Sequence, residues 1–222
     1  MRTLAIGDIH GSLAALETLA SALCIKKDDT LVMLGDYVDR GPDSRGVVEY
    51  LLALRGRANL VTLLGNHEIA MMDSRRDRKM LAQWLALFGG EATLASYGVP
   101  ALGEVPSAHW EFFKSCRAYY ETDTDFFVHA GAAPDLPLDR QPADMLFWKR
   151  FENPAPHCSG KRMICGHTIQ SGGVPRDLGH AVCLDTAAYD GDGWLTCLDT
   201  RANRYWQANN RRELREGMLG RG

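Results

Sequence analysis

The chain has 222 residues, 45% of them hydrophobic and 24% charged, with a formal net charge of -3. That size and balance suit one large globular domain and exclude a disordered chain. The weak negative charge leaves no basic footprint for nucleic acid, and no run approaches the roughly 20 apolar residues of a membrane span.

The N-terminus enters a short apolar run and turns polar at once, too little for a signal-peptide core, so a soluble cytoplasmic protein is expected. Leu4-Ala5-Ile6 ends at Gly7, and Ser12 is placed to cap a helix that repeats Leu and Ala as far as Leu23. Thr30 to Leu34 is almost wholly apolar, as in a strand buried on both faces. Pro42-Asp43-Ser44 opens a second helix through Val47, Val48, Leu51, Leu52 and Leu54, and Leu60 to Leu64 forms a third strand. This βαβαβ rhythm predicts a parallel sheet with helices on its faces. From about residue 73 to 123 the pattern turns helical. Met80, Leu81, Trp84, Leu85, Leu87 and Phe88 share one helical face, Gly89-Gly90 stops it, and His109 to Tyr120 predicts another helix. Strands return at Phe126 to Val128, Arg162 to Cys165, Ala181 to Leu184, Trp194 to Leu198 and Arg204 to Gln207. No long helices separate them, so they are expected to be largely antiparallel or mixed. Arg211 to Glu216 reads as a short frayed helix. No repeat or linker divides the chain, and the fold expected over residues 1–222 is one α/β domain of mixed sheets with a helical insert. The six cysteines form no CxxC pair, which argues for reduced thiols over a zinc ribbon or a disulfide frame.

The polar residues fall at strand ends. Gly7-Asp8-Ile9-His10-Gly11 follows the first strand, Gly35-Asp36-Tyr37-Val38-Asp39-Arg40-Gly41 the second and Gly65-Asn66-His67-Glu68 the third. His129-Ala130-Gly131 and Gly166-His167-Thr168 follow two later strands. In an open parallel sheet, ligand sites form outside the carboxyl ends of the strands, so these segments are expected on one rim. Each alone also fits a bland reading: a turn with a capping Asp, or a half-buried histidine. Together they point to metal. Carboxylate and amide oxygens mixed with imidazoles suit Mn, Fe or Zn, and there are too many donors for one tetrahedral ion. They suit two ions about 3.5–4 Å apart, the arrangement used for in-line displacement at phosphorus.

GDIHG, GDYVDRG, GNHE and the later HAG and GHT resemble the signature of the metal-dependent serine/threonine phosphoprotein phosphatases, within the calcineurin-like metallophosphoesterases. The likeness is greatest to compact bacterial and bacteriophage members and spans Asp8 to about Thr168. It implies two divalent ions, manganese first, with Fe, Zn or Ni as other choices. Asp8 and His10 would hold one ion, Asp36 would bridge, and Asn66, His129 and His167 would complete the other. His67 matches the general acid, Asp39 the carboxylate that orients it, and Arg40 a phosphate-binding arginine. The Trp-x-Arg spacing of Trp148 and Arg150 resembles a second phosphate-binding arginine, Arg150. The implied reaction is direct attack by a hydroxide held between the ions on a phosphoprotein monoester, with no phosphoenzyme and no regulatory subunit.

The nearest alternative is a symmetrical dinucleoside polyphosphate hydrolase of the same fold. Those proteins commonly read GNHD and tend to be longer, so Glu68 and the full Asp-Tyr-Val-Asp-Arg-Gly lean the expectation toward protein phosphatase; Glu68 itself is expected to make a supporting hydrogen bond and not to be a ligand. A non-catalytic phosphoprotein-binding module is disfavoured because no metal ligand is missing. The basic run Arg75 to Lys79 reads as a solvated helix face, and His109, His157 and His180 as surface or structural. The segment Asp185-Thr186-Ala187-Ala188-Tyr189 is assigned no catalytic role.

Overall fold

The computed structural model describes residues 1–220. Its two sheets are built as the apolar runs require. In the first, β1 (Thr3–Ile6), β2 (Thr30–Met33) and β3 (Asn59–Thr62) pair in parallel, joined by α1 (Leu13–Leu23) and α2 (Ser44–Leu54). The second contains β4 (Tyr119–Glu121), β5 (Asp125–Val128), β6 (Arg162–Cys165), β7 (Arg176–Asp177) and β8 (Ala181–Cys183), in the order β4-β5-β6-β8-β7. There β5, β6 and β8 run parallel, while β4 and β7 are antiparallel edges, so the late strands are mixed. The chain then returns to the first sheet through β9 (Leu195–Asp199), β10 (Arg204–Ala208) and β11 (Leu214–Met218), antiparallel beside β1.

Alternation along the strands decides the layering. Ala5, Val32, Phe127, Ile164 and Val182 meet in a core between the two sheets. Their neighbours Leu4, Ile6, Leu31 and Met33 face the helices of the first sheet, and Phe126 and Val128 face Leu146 and Phe147 outside the second. The result is a four-layer helix–sheet–sheet–helix stack in which both sheets present the carboxyl ends of their parallel strands to one rim.

Two local expectations are corrected. The Arg211 to Glu216 segment is no helix: it turns at Arg212 and runs into β11, whose Leu214 to Met218 pair with β10 from Ala208 to Arg204. Ladder hydrogen bonds and the Arg204–Glu216 ion pair at 2.6 Å outweigh the helical propensity of that charged stretch. The helix expected from His109 to Tyr120 runs only from Ser107 to Lys114, as α6, after which Arg117 pairs with Leu63 and Tyr119 enters β4. His109 is buried and bonded to the Tyr97 hydroxyl at 2.7 Å, a structural role. The insert otherwise holds α3 (Asn66–Asp73) leading into α4 (Arg78–Gln83), a π-turn over Trp84–Phe88 and α5 (Gly90–Tyr97). All six cysteines are free, and among the described residues no helix is long and apolar enough to cross a membrane.

Candidate metal centre and active site

The rim gathers the motifs by forcing the backbone into unusual turns. His10, Asp36, Asp39, Arg40, His167 and Ala187 all have positive φ, between 44° and 72°. Such conformations cost side-chain-bearing residues about 1–3 kcal/mol each and concentrate where function over-determines the backbone. The approach of neighbouring loops is equally tight. A Cβ on Gly65 would overlap the Asp36 carboxylate, and one on Gly166 would overlap Asp8 Oδ1.

Asp36 sits at the centre, and its two oxygens face different groups. Oδ2 lies 3.5 Å from His10 Nε2 and 3.8 Å from His67 Nε2, while Oδ1 lies 3.5 Å from His129 Nε2. Asn66 Oδ1 is 2.8 Å from His129 Nε2 and 3.0 Å from His167 Nδ1. Donor atoms of His10, Asp36 and His67 thus converge as one group, and those of Asp36, His129 and His167 as another. The backbone sets which ring nitrogens carry lone pairs. His10 Nδ1–H donates to the Val38 carbonyl and His129 Nδ1–H to that of Leu34, each at 2.8 Å, so both Nε2 atoms point inward as acceptors.

Asp8 is placed differently from its partners. Its carboxylate accepts the His167 backbone N–H, at 2.9 and 3.1 Å, and it joins neither three-residue group; His67 stands with His10 and Asp36 instead. Asp8 is nevertheless buried in the same rim, where burial, then Asp185 and Asp36, push its carboxyl well above the usual range. Burial also raises Asp185, to about 6, against the Ala187 N–H that it accepts. Burial would raise Asp36 too, but the imidazoles of His129, His67 and His10 hold it well below the ordinary carboxylate range. His10, His129 and His167 are lowered chiefly by burial, His167 to about 4. Buried carboxylates facing imidazole nitrogens, with an amide oxygen between two of the rings, form a donor set that fits two divalent cations of the Mn, Fe or Zn kind.

His67 differs from His10 and His129, whose Nδ1 atoms bond backbone carbonyls, in having a carboxylate on its Nδ1. It donates to Asp39 Oδ2 at 2.8 Å, and Asp39 is fully buried. The same carboxylate accepts Trp84 Nε1–H at 2.9 Å and the Thr93 hydroxyl at 2.7 Å. Burial works against a charged His67, but Asp36 and then Asp39 prevail and raise its pKa. Its Nε2 is left toward the crevice, a posture for proton donation. Trp84 and Thr93 were not foreseen: both come from the helical insert, where Trp84 read as one more apolar residue. The π-turn makes the placement, setting Trp84 against Asp39 and Phe88 edge-on to His67 at 5.1 Å.

Glu68 is not at the chemistry. It is fully buried, and its carboxylate accepts the backbone N–H groups of Asp36, Tyr37, Val38 and Gly65 at 2.8 to 3.2 Å. It therefore braces the Asp36 loop against the start of α3. Burial, then Asp36, push its carboxyl up to about 8 against those donors. Arg40 and Arg150 both line the crevice with Asp36, Asn66, His67 and His167, in a cavity of about 230 Å³. Arg40 reaches within 3.4 Å of His10 Nε2 and lies 4.9 Å over the Tyr189 ring. The segment left without a role by its sequence thus supplies Asp185 beside Asp8 and Tyr189 beneath Arg40; a short Asp-Thr run after a strand gave little signal.

Comparison with known proteins bears on this geometry. The family model described as calcineurin-like phosphoesterase matches residues 1–189. A symmetrical bis(5'-nucleosyl)-tetraphosphatase of Pseudomonas syringae pv. syringae is 29% identical over 141 residues, which are 63% of this chain and 45% of that protein. One of the same name from Pseudomonas fluorescens SBW25 is 38% identical over 141 residues, 63% of this chain and 46% of that protein. The chain thus aligns with somewhat under half the length of these curated relatives. A solved structure described as a candidate diadenosine tetraphosphatase superposes with a TM-score of 0.68 at 23% identity, covering 100% of this chain and 95% of that one. A protein serine/threonine phosphatase from Saccharomyces cerevisiae gives a TM-score of 0.63 at 18% identity, over 90% of this chain and 73% of that one. Both structural likenesses are of fold.

Proposed function

The chain belongs to the calcineurin-like phosphoesterase family, and from that premise we propose that it hydrolyses dinucleoside polyphosphates by splitting the anhydride between the two central phosphates. The observation that carries this reading is the shared name of the relatives at 29% and 38% identity, both symmetrical bis(5'-nucleosyl)-tetraphosphatases. The expectation of a phosphoprotein substrate leaned on Glu68 and on the full run from Asp36 to Gly41; of these, the Glu68 carboxylate is occupied by four backbone donors.

In this reading Asp8, His10, Asp36, Asn66, His129 and His167 hold two divalent cations, manganese first. Bound there, the cations supply Lewis-acid stabilisation of the phosphate charge and a water acidic enough to attack near neutral pH. The chain's own residues do the rest. Arg40 and Arg150 bind non-bridging phosphate oxygens, for which their planar forks are suited. His67 Nε2 gives a proton to the leaving bridging oxygen while Asp39 holds Nδ1–H in place. Water adds to one central phosphorus, the bridging P–O bond breaks, and a dinucleoside tetraphosphate yields two nucleoside diphosphates.

One observation favours a second reading, phosphoprotein phosphatase. The buried Asp39 partner keeps His67 protonated to higher pH, and such a general acid is of most use to a poor alkoxide leaving group and of less use to a nucleoside diphosphate. Product analysis separates the two. With manganese, diadenosine tetraphosphate should give ADP alone, and chelator should stop the reaction. ATP with AMP, or no turnover beside rapid cleavage of a phosphoserine peptide, would overturn the proposal.

A further inference from the structure

The chemistry above leaves unused an aromatic pair at the edge of the crevice. Phe88 packs edge-on to His67, and Trp148 stands edge-on to Phe88, with centroids 6.2 Å apart and planes at 89°. Trp148 closes α7 (Ala143–Trp148) and is 43% exposed, high for the residue type with the most apolar surface to hide. Its position is not casual. Just past it, Phe151 N–H donates to Thr168 Oγ1 at 2.8 Å. The end of α7 is thus tied to the loop that places His167. Two residues further on, Arg150 turns into the crevice, and Ile169, also 43% exposed, lines the same wall.

The rim therefore sets an open aromatic surface beside two phosphate-binding guanidiniums. A ligand that fits both has a flat π-face at one end and an anionic chain at the other. We propose, resting on the reading above, that Trp148 is the stacking platform for a nucleobase of the substrate, with the attached phosphates passing Arg150 into the crevice. Stacking on an aromatic side chain is indifferent to base identity, so the platform would accept any dinucleoside polyphosphate. A phosphopeptide carries no obligatory π-face next to its phosphate and gives Trp148 no constant partner.

The test uses the full chain loaded with manganese and compares ADP with pyrophosphate in calorimetric titrations. The wild-type protein should bind ADP about tenfold more tightly than pyrophosphate. Trp148→Ala should remove that preference and leave pyrophosphate binding unchanged, and Trp148→Phe should retain most of it. In parallel, Trp148→Ala should raise the KM for diadenosine tetraphosphate about tenfold with kcat within about twofold. An ADP preference that survives Trp148→Ala overturns the platform, as does an equal loss of ADP and pyrophosphate binding. Trp148-dependent KM values for phosphopeptides without an ADP preference also overturn it. If the wild-type protein shows a Trp148-dependent ADP preference but does not cleave diadenosine tetraphosphate, the platform stands and the hydrolase reading falls.

Discussion

Replacing Asp39 by Asn isolates the charge that holds His67. The carboxylate accepts from His67 Nδ1 and Trp84 Nε1 on one oxygen and from the Thr93 hydroxyl on the other. An Asn carbonyl turned toward His67 and Trp84 keeps both of those bonds. Its NH₂ then meets Thr93, whose hydroxyl can rotate from donor to acceptor. The fold should lose only about 1–2 kcal/mol, one weakened buried hydrogen bond. What disappears is the negative charge. His67 has its pKa raised by Asp36 and Asp39, so its acid form persists to higher pH and is lost as pH rises through that value. Without the Asp39 charge the alkaline limb of the rate profile must move to lower pH. General-acid assistance is worth about 10²–10⁴ in rate, and it matters most when the leaving oxygen is basic. In steady-state assays over a series of phosphate esters, Asp39→Asn should lower kcat about 10²-fold for alkyl leaving groups. For acidic aryl leaving groups the loss should be about tenfold or less. An unmoved alkaline limb with equal losses across the series would refute the assignment of His67 as proton donor.

Glu68→Ala should orphan four buried N–H groups and lower stability by about 3 kcal/mol or more, read as a fall in the urea midpoint. An unchanged midpoint would mean that the Asp36 loop does not need this brace. Asp29 is buried, accepts the backbone N–H groups of Arg2 and Lys26, and pairs with the Arg2 side chain, which holds its carboxyl well below the usual range. A depressed folded pKa contributes stability above the unfolded value of about 3.9 that is lost as pH falls toward the folded one. Asp29→Asn should therefore cost about 2 kcal/mol at neutral pH and flatten the stability curve below about pH 4; an identical acid limb in both proteins would contradict this.

The fold was legible where burial leaves a period in the sequence. Thr30 to Leu34 and Leu60 to Leu64 showed themselves as strands because both faces of the first sheet are covered, and Asp8, Asp36 and Asn66 stood out because polar residues end those runs. The partners of Asp39 were not legible. Trp84 and Thr93 reach it across 45 and 54 residues of sequence, from helices whose pattern announces only packing. The strand at Leu214–Met218 was hidden because its residues are mostly exposed, so no apolar alternation marks it and pairing with β10 decides. The supporting role expected of Glu68 is what the structure holds, a buried carboxylate serving four backbone donors. Asp185 and Tyr189 lay in a loop whose left-handed turn at Ala187 no motif foretold.

The most direct measurement is the ratio of kcat/KM for diadenosine tetraphosphate to that for a phosphoserine peptide, taken with the same manganese-loaded preparation. The account predicts a ratio well above one, with ADP as the sole nucleotide product and no activity after chelation. A ratio well below one would contradict it and return the crevice to phosphoprotein substrates.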